Sequence, residues 1–458
     1  MDIIAQAAQT FGDSPAIISD GRRWSFADLD AATARIAAAF EASGLRRGDI
    51  VALVAPNSAD LVLALMALMR MGAVAAPVNH RFPASHIDGV LARLHPAMAL
   101  DESKLKAFVA DALSRTVTTF TAATEMHRRA SIIHTSASSG KPKAAMHSLA
   151  NHYYSAKGSA ENLPFGPGNC WLLSLPLCHV GGYSMLFKCL LGGGSLAVPS
   201  PDASLAESLA RFPVTHLSLV PTQLFRMLRA DGGPERLRSL KALLLGGSAV
   251  SEPLLREAVR EKIPLCLTYG STEMSTQVTT SPTPVTSAEG DSGVVLPYRE
   301  VAIAADGEIL VKGECLFMGY LEECGLRTAR DSDGWFHTGD MGELSEDGRL
   351  TVLGRRDSMF ISGGENIHPE EIEKALCSID GIEEAVVVPA PDVEYGARPV
   401  AWIKVGNNAP DDATIMASLR DTLGRLKTPV ALHRVQEWHT LPGSAKIDRG
   451  WYKRLGKL

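Results

Sequence analysis

A chain of 458 residues, 46% hydrophobic and 21% charged, has the make-up of a globular protein of two to four structural units with a large core. Its formal net charge of −6 speaks against a general nucleic-acid binder, which carries a basic excess. Seven cysteines stand at 170, 178, 189, 266, 315, 324 and 377 with no Cys-x-x-Cys pair, so neither a disulfide framework nor a thiolate zinc site is expected. Buried thiols in a reducing, cytoplasmic compartment are the expectation instead.

The first residues lack a basic segment followed by an apolar run, so no secretory signal is read. Ser25 and Asp28 have the spacing of a capping box ahead of an Ala-rich helix over 26–43, which Gly44 stops. The run "IVALVA" (50–55) reads as a buried strand, and Ser58 caps the helix after it. The most apolar stretch, 61–78, contains Arg70 and Gly72 and reads as a buried helix followed by a strand, not as a membrane span. Further on, "WLLSLPL", "SLAVP", "HLSLVP", "ALLLGG" and "LCLTYG" read as strands, most of them separated by helical segments. This alternation predicts an α/β fold: a large N-terminal domain of layered, mostly parallel sheets with helices. Polar clusters after "SII", "ALLL" and "LCLTY" would then sit at carboxyl ends of strands, where such folds bind ligands. After about residue 350 the pattern changes to short strands, turns and two helices, one opening at Pro369 and one near 411–424. That predicts a small α+β domain of roughly a hundred residues. The boundaries are read as 1–354, a connection at 355–357, and 358–458.

Five short stretches carry chemistry. The loop "HTSASSGKPKAAMHS" (134–148) is not the common phosphate loop, because Pro142 follows Gly140-Lys141 and Thr135 stands where the first glycine belongs. A Ser/Gly-rich turn still points backbone N–H groups at phosphate oxygens. Here Thr135, Ser136, Ser138 and Ser139 add hydroxyls around Gly140, and Lys143 adds a charge. The bland alternative is a solvated linker. In "YGSTEM" (269–274), Glu273 suits Mg²⁺, which takes one or two carboxylates plus phosphate oxygens, and Tyr269 suits a base. The alternative is a strand-to-helix turn capped by Thr272. In "WFHTGD" (335–340), Asp340 suits ribose hydroxyls, against a plain turn between strands. In "GRRDSMFISGGEN" (354–366), Arg355 suits ribose or phosphate and Gly363-Gly364 permits close backbone approach, against a hairpin. In "LPGSAKIDR" (441–449), Lys446 stands alone near the end of the chain.

The order and spacing of these stretches, from "SFADLD" (25–30) to Lys446, resemble the ANL adenylating superfamily of acyl- and aryl-CoA ligases. The resemblance is strongest in "LPLCHVGGYSMLFKCLLGGG" (175–194), "THLSLVPTQLFRML" (215–228) and "GGENIHPEEIEKAL" (363–376). It implies ATP, Mg²⁺ and coenzyme A as co-substrates and cofactor, an aryl carboxylic acid as substrate, and no membrane partner. Thr135, Ser136, Ser138, Ser139, Gly140, Lys143 and Thr272 would hold phosphates, with Glu273 and Thr135 at the metal. Gly247, Ser248, Tyr269, Gly270, Asp340 and Arg355 would hold adenine and ribose. Lys446 would act on the attacking carboxylate, Asp357 would be the hinge of a mobile C-terminal domain, and Gly363 and Gly364 would line the coenzyme A side. His179 would gate or touch the acyl site, against a satisfied histidine at a strand end. The pattern departs from the superfamily at Ala137, Ala144 and Ala445, each in place of a glycine, although a Pro-Lys-Ala-Ala run is familiar from one branch of it. A medium-chain acid is the alternative substrate, and a non-catalytic nucleotide sensor is the alternative of another class. Metalloprotease and serine-hydrolase chemistry is disfavoured, since His-Glu-x-x-His and Gly-x-Ser-x-Gly are both missing. A homodimer is the default assembly.

Overall fold

The computed structural model describes residues 2–116, 120–135, 143–248, 250–287, 291–363, 365–406, 408–441 and 446–456. Two large sheets carry the N-terminal three quarters of the chain. In the nine-stranded sheet the interior strands Pro15–Ser19, Ser195–Val198, Cys170–Leu172, His216–Leu219, Ala242–Leu245 and Leu265–Ser271 run parallel, and antiparallel strands close both edges. In the seven-stranded sheet Met98–Asp101, Ile50–Val54, Val74–Val78 and Arg129–His134 are parallel, and Ala144–Ser148, Gly319–Glu322 and Gly325–Arg327 add an antiparallel edge. The α/β reading therefore holds.

Helices lie between the sheets because their sequences leave them no polar face to show to water. Every residue from Leu61 to Met71 in helix Ala59–Met71 is buried. One apolar cluster runs from Ile17 and Leu196 of the first sheet, through this helix and Val180–Gly192, to Val51 and Ala75 of the second. At roughly 1.5–3 kcal/mol per fully buried aliphatic side chain, this layer is the main reason the two sheets stay together. Arg70, buried in this layer, is neutralised by Asp2 at 3.0 Å and Asp30 at 2.7 Å. The local signals act as their chemistry dictates. Ser25 and Asp28 form the reciprocal capping box of helix Phe26–Ala42, Ser58 accepts from the Leu61 N–H, and Gly72 ends its helix in the left-handed conformation.

Strands Glu300–Ile303, Glu308–Lys312, Phe336–Leu344 and Leu350–Arg355 form an antiparallel sheet that ends at Arg355. Beyond it, helix Pro369–Cys377, hairpin Ile382–Asp392/Gly396–Val405, helix Asp412–Lys427 and strand Ala431–Val435 enclose a separate small core. The helical path of Asp412–Lys427 breaks at Gly424, φ 78° and ψ 174°. All seven cysteines are unpaired, and five of them are buried. No described helix is long and apolar enough to cross a membrane.

Candidate active site

The turn after Leu265–Ser271 of one large sheet meets Ala144–Ser148 and Gly319–Glu322 of the other, and several of the sequence clusters lie there. Parallel pairing of Ala242–Leu245 with Leu265–Ser271 sets Gly246, Gly247 and Ser248 beside Tyr269 and Gly270. A Cβ on Gly246 would stand 2.6 Å from Thr268 Cγ2, so only glycine lets these two strand ends lie so close. From the other sheet, the Thr135 N–H donates to the Lys143 carbonyl at 2.9 Å, which pins both stems of the opening loop. Ser136, Ser138, Ser139 and Gly140 lie outside the described residues, as do Ala137, Gly364 and Ala445.

The chain after Tyr269 corrects one alternative from the sequence. Ser271 is followed by a tight reversal into strand Thr276–Thr280, not by a helix. Ser275 and Thr276 take positive φ angles of 59° and 146°. A Cβ on Gly270 would lie 1.9 Å from the Thr276 carbonyl oxygen. That glycine is therefore a requirement of the hairpin itself. The reversal pushes Thr272 and Glu273 out towards the seven-stranded sheet. His147 Nε2 meets the Thr272 carbonyl at 2.7 Å. Burial holds that imidazole down to about 4, so it is neutral and donates from Nε2. The Tyr320 hydroxyl donates to Glu273 Oε1 at 2.6 Å, while Lys143 Nζ sits over the Tyr320 ring, 5.0 Å from its centre. Loop stem, aromatic ring and carboxylate thus form one unit. Tyr320 escaped the sequence reading; its one signal is a Gly-Tyr pair at 319–320 with no partner in view. Burial, reinforced by Glu273, raises its phenol far above the ordinary range, so it remains a donor.

A second unit surrounds Asp340. Asp340 lies within strand Phe336–Leu344, beside a register shift at 341–342, which removes the alternative of a plain turn between strands at "WFHTGD". Its carboxylate accepts from Tyr269 at 2.6 Å and from Arg355 Nη1 at 3.0 Å. Arg355 also donates to the Thr338 carbonyl at 2.9 Å and to Asp357 at 3.0 Å. A Cβ on Gly339, φ 71°, would approach Arg355 Nη2 to 2.9 Å.

Lys446 comes from the small unit. The Leu441 N–H donates to the Lys446 carbonyl at 2.8 Å, which ties the backbone of the lysine to Leu441. The residue as a whole is exposed, yet desolvation of its ammonium, followed by Arg355 and Arg449, lowers its pKa, while Asp340 and Asp357 oppose the shift. Lys446 is therefore within electrostatic reach of the Asp340–Arg355 unit. His179 precedes helix Val180–Gly192 without a side-chain cap bond, and burial lowers its pKa. Gly363 takes φ 57°, with a Cβ position 2.9 Å from Tyr395, so its freedom is used against Tyr395. It sits in the turn of hairpin Phe360–Ser362/Glu365–Ile367.

The family model for AMP-binding enzymes matches residues 4–321, and that for the AMP-binding enzyme C-terminal domain matches 371–444. The chain belongs to the AMP-binding enzyme family. Among curated members of this family it is 36% identical to the 2-succinylbenzoate–CoA ligase of Salmonella typhimurium, over 90% of this chain and 89% of that one. The solved o-succinylbenzoate CoA synthetase of Bacillus subtilis in complex with the acyl-adenylate intermediate matches with a TM-score of 0.86 and 30% identity, covering 99% of this chain and 98% of that one. The same enzyme in complex with ATP and magnesium ion matches with a TM-score of 0.85 and 29% identity, over 98% of each chain. As an AMP-binding enzyme the chain has the large N-terminal and small C-terminal units that these relatives have.

Proposed function

We propose that this AMP-binding enzyme activates 2-succinylbenzoate with ATP and transfers it to coenzyme A, releasing AMP and pyrophosphate. The observation that carries the reading is the joining of Lys143, Tyr320 and Glu273 into one unit beside a second unit of Tyr269, Asp340 and Arg355, in a chain so similar to ligases for that acid.

In the first half-reaction a carboxylate oxygen bonds to the α-phosphorus as the bond to pyrophosphate breaks. Two anions must approach, so charge neutralisation and positioning supply most of the rate. The loop opened by Thr135 and closed by Lys143 takes the outer phosphates with Ser136, Ser138, Ser139, Gly140 and Thr272. Asp340 takes the ribose hydroxyls, held by Tyr269 and Arg355. Gly247, Ser248 and Gly270 leave room for the flat base. Lys446 bridges carboxylate and α-phosphate. No cluster of three or more His, Cys, Asp or Glu forms among the described residues. That fits a magnesium ion shared with phosphate oxygens, for which Glu273 and the Thr135 hydroxyl are the hard donors; bound there, the ion neutralises phosphate charge. In the second half-reaction the coenzyme A sulfur bonds to the acyl carbon and AMP leaves. Residues 1–354 and 358–458 are the two domains, and rotation at Asp357 withdraws Lys446 and brings Gly363 and Gly364 to the thiol path, with His179 on the acyl side. The unpaired cysteines support a cytoplasmic setting for this chemistry.

The test is a panel of acids with ATP and coenzyme A, read by pyrophosphate release. 2-Succinylbenzoate is expected to exceed benzoate and octanoate by at least about tenfold in kcat/KM, about 1.4 kcal/mol of discrimination. A better rate with either competitor overturns the substrate, and no pyrophosphate with any acid overturns the ligase.

The field at Lys446 gives a further expectation. Its charged form is the working one, and its pKa is lowered from 10.5. Activity therefore declines as pH rises through that lowered value. The kcat/KM for ATP, which reports the free enzyme, should fall on the alkaline side with a midpoint below 10.5. Lys446→Arg, whose charge persists, should lack that limb.

A further inference from the structure

Glu308 stands in none of the roles assigned above, yet it is among the most heavily used carboxylates in the large unit. It is 3% exposed. Oε1 accepts from the Gly339 N–H at 2.8 Å. Oε2 accepts from Arg356 Nη1 at 2.8 Å and meets His337 Nδ1 at 2.9 Å. Arg356 is further held by Asp306 at 3.1 Å, and its own N–H donates to the Gly339 carbonyl at 2.7 Å. One buried carboxylate thus grips two places at once: the residue immediately before Asp340, and the residue immediately before Asp357. A buried charge spent on three donors fixes each of them more firmly than a neutral acceptor would.

We propose that Glu308 is a positioning residue for the nucleotide site, tying the ribose-binding strand to the root of the interdomain connection. The inference rests on the role proposed for Asp340. Gly339 is held by Glu308, and Arg355 by Asp340 and the Thr338 carbonyl, so the chain up to Arg356 is tied to the large unit, with the Arg355 N–H also reaching Glu370 at 3.5 Å. Any rotation then begins at Asp357. Preorganising Asp340 in this way needs no contact between Glu308 and the nucleotide.

The experiment is calorimetric binding of AMP to the full chain, independent of the acid. Asp340→Ala should weaken AMP binding at least about tenfold; if it does not, the proposed ribose site fails first. Glu308→Ala should weaken AMP about five- to tenfold with a binding stoichiometry still near one, whereas a purely structural role would lower the stoichiometry and leave the affinity of the remaining sites intact. Glu308→Gln, which keeps an acceptor oxygen for Gly339 but turns an amide NH2 towards Arg356 and His337, should fall between the parent and Glu308→Ala. Arg356→Ala should be non-additive with Glu308→Ala, as expected for groups in one network. Normal AMP affinity in Glu308→Ala alongside a weakened Asp340→Ala, equal losses in the Gln and Ala variants, or simple additivity with Arg356→Ala would each overturn the inference.

Discussion

Lys446→Ala is expected to slow adenylation by about 10²–10³-fold, or roughly 3–4 kcal/mol of transition-state stabilisation, while AMP binding changes little. The asymmetry follows from where the lysine sits. It belongs to the small unit, and Arg355 and Asp340 act on its charge. The hydrogen bonds that join Asp340, Tyr269 and Arg355, the residues proposed for the ribose, form without it. A cation placed between the attacking carboxylate and the α-phosphate is needed most as charge shifts between them, so its loss appears in kcat. Coenzyme A transfer from preformed acyl-adenylate should survive in the same variant, since the adenylate is already activated and the proposed rotation takes Lys446 out of the second step. Single-turnover measurement of the two half-reactions checks both parts. An equal loss in both would mean that Lys446 acts on the fold, not on the first chemical step.

The sequence carried the fold because its signals are local and mutually consistent. Strands such as "ALLL" and "HLSLVP" are short, apolar and bounded by turn residues, and Ser25, Ser58 and Gly72 mark helix ends with side chains whose preferences are strong. The two alternatives that the structure removes have a common cause. After Tyr269 and around Asp340, tertiary pairing decides the path. A strand of the opposite sense returns at Thr276, and Phe336–Leu344 runs through the glycine at 339 because Glu308–Lys312 and Leu350–Arg355 pair with it on either side. Propensity cannot see such partners.

Side-chain partners were legible only where a motif spelled them out. Asp340 and Arg355 could be named, but not that Tyr269 would meet the same carboxylate, 71 positions away. Tyr320 and His147 meet the turn between two strands of the other large sheet, and Glu308 meets a residue that follows a strand of its own sheet, across 47, 125 and 48 positions for their contacts to Glu273, Thr272 and Arg356. Such second partners leave no mark in spacing, because spacing encodes only neighbours along one element.

Glu273→Gln is expected to lower adenylation by about 10²-fold and to move half-saturation by Mg²⁺ upward, because an amide keeps the shape of the carboxylate and loses the charge that a hard cation requires. The Tyr320 hydroxyl sharpens this expectation. It donates to one oxygen of Glu273 at 2.6 Å, which orients the carboxylate, and the other oxygen is the one proposed for the metal. Tyr320→Phe removes that bond but keeps the ring under Lys143, so it should cost about tenfold, the lower end for a group that orients a metal ligand. The pair should not be additive. Once Glu273 has become Gln there is no metal-binding charge left to orient, so Tyr320→Phe in that background should cost less than about twofold. The measurement is adenylation rate against Mg²⁺ concentration in the two single variants and the double. If the double variant multiplies the two losses, then Tyr320 serves the protein through Lys143 and the phosphate loop, and the magnesium reading of Glu273 loses its structural support.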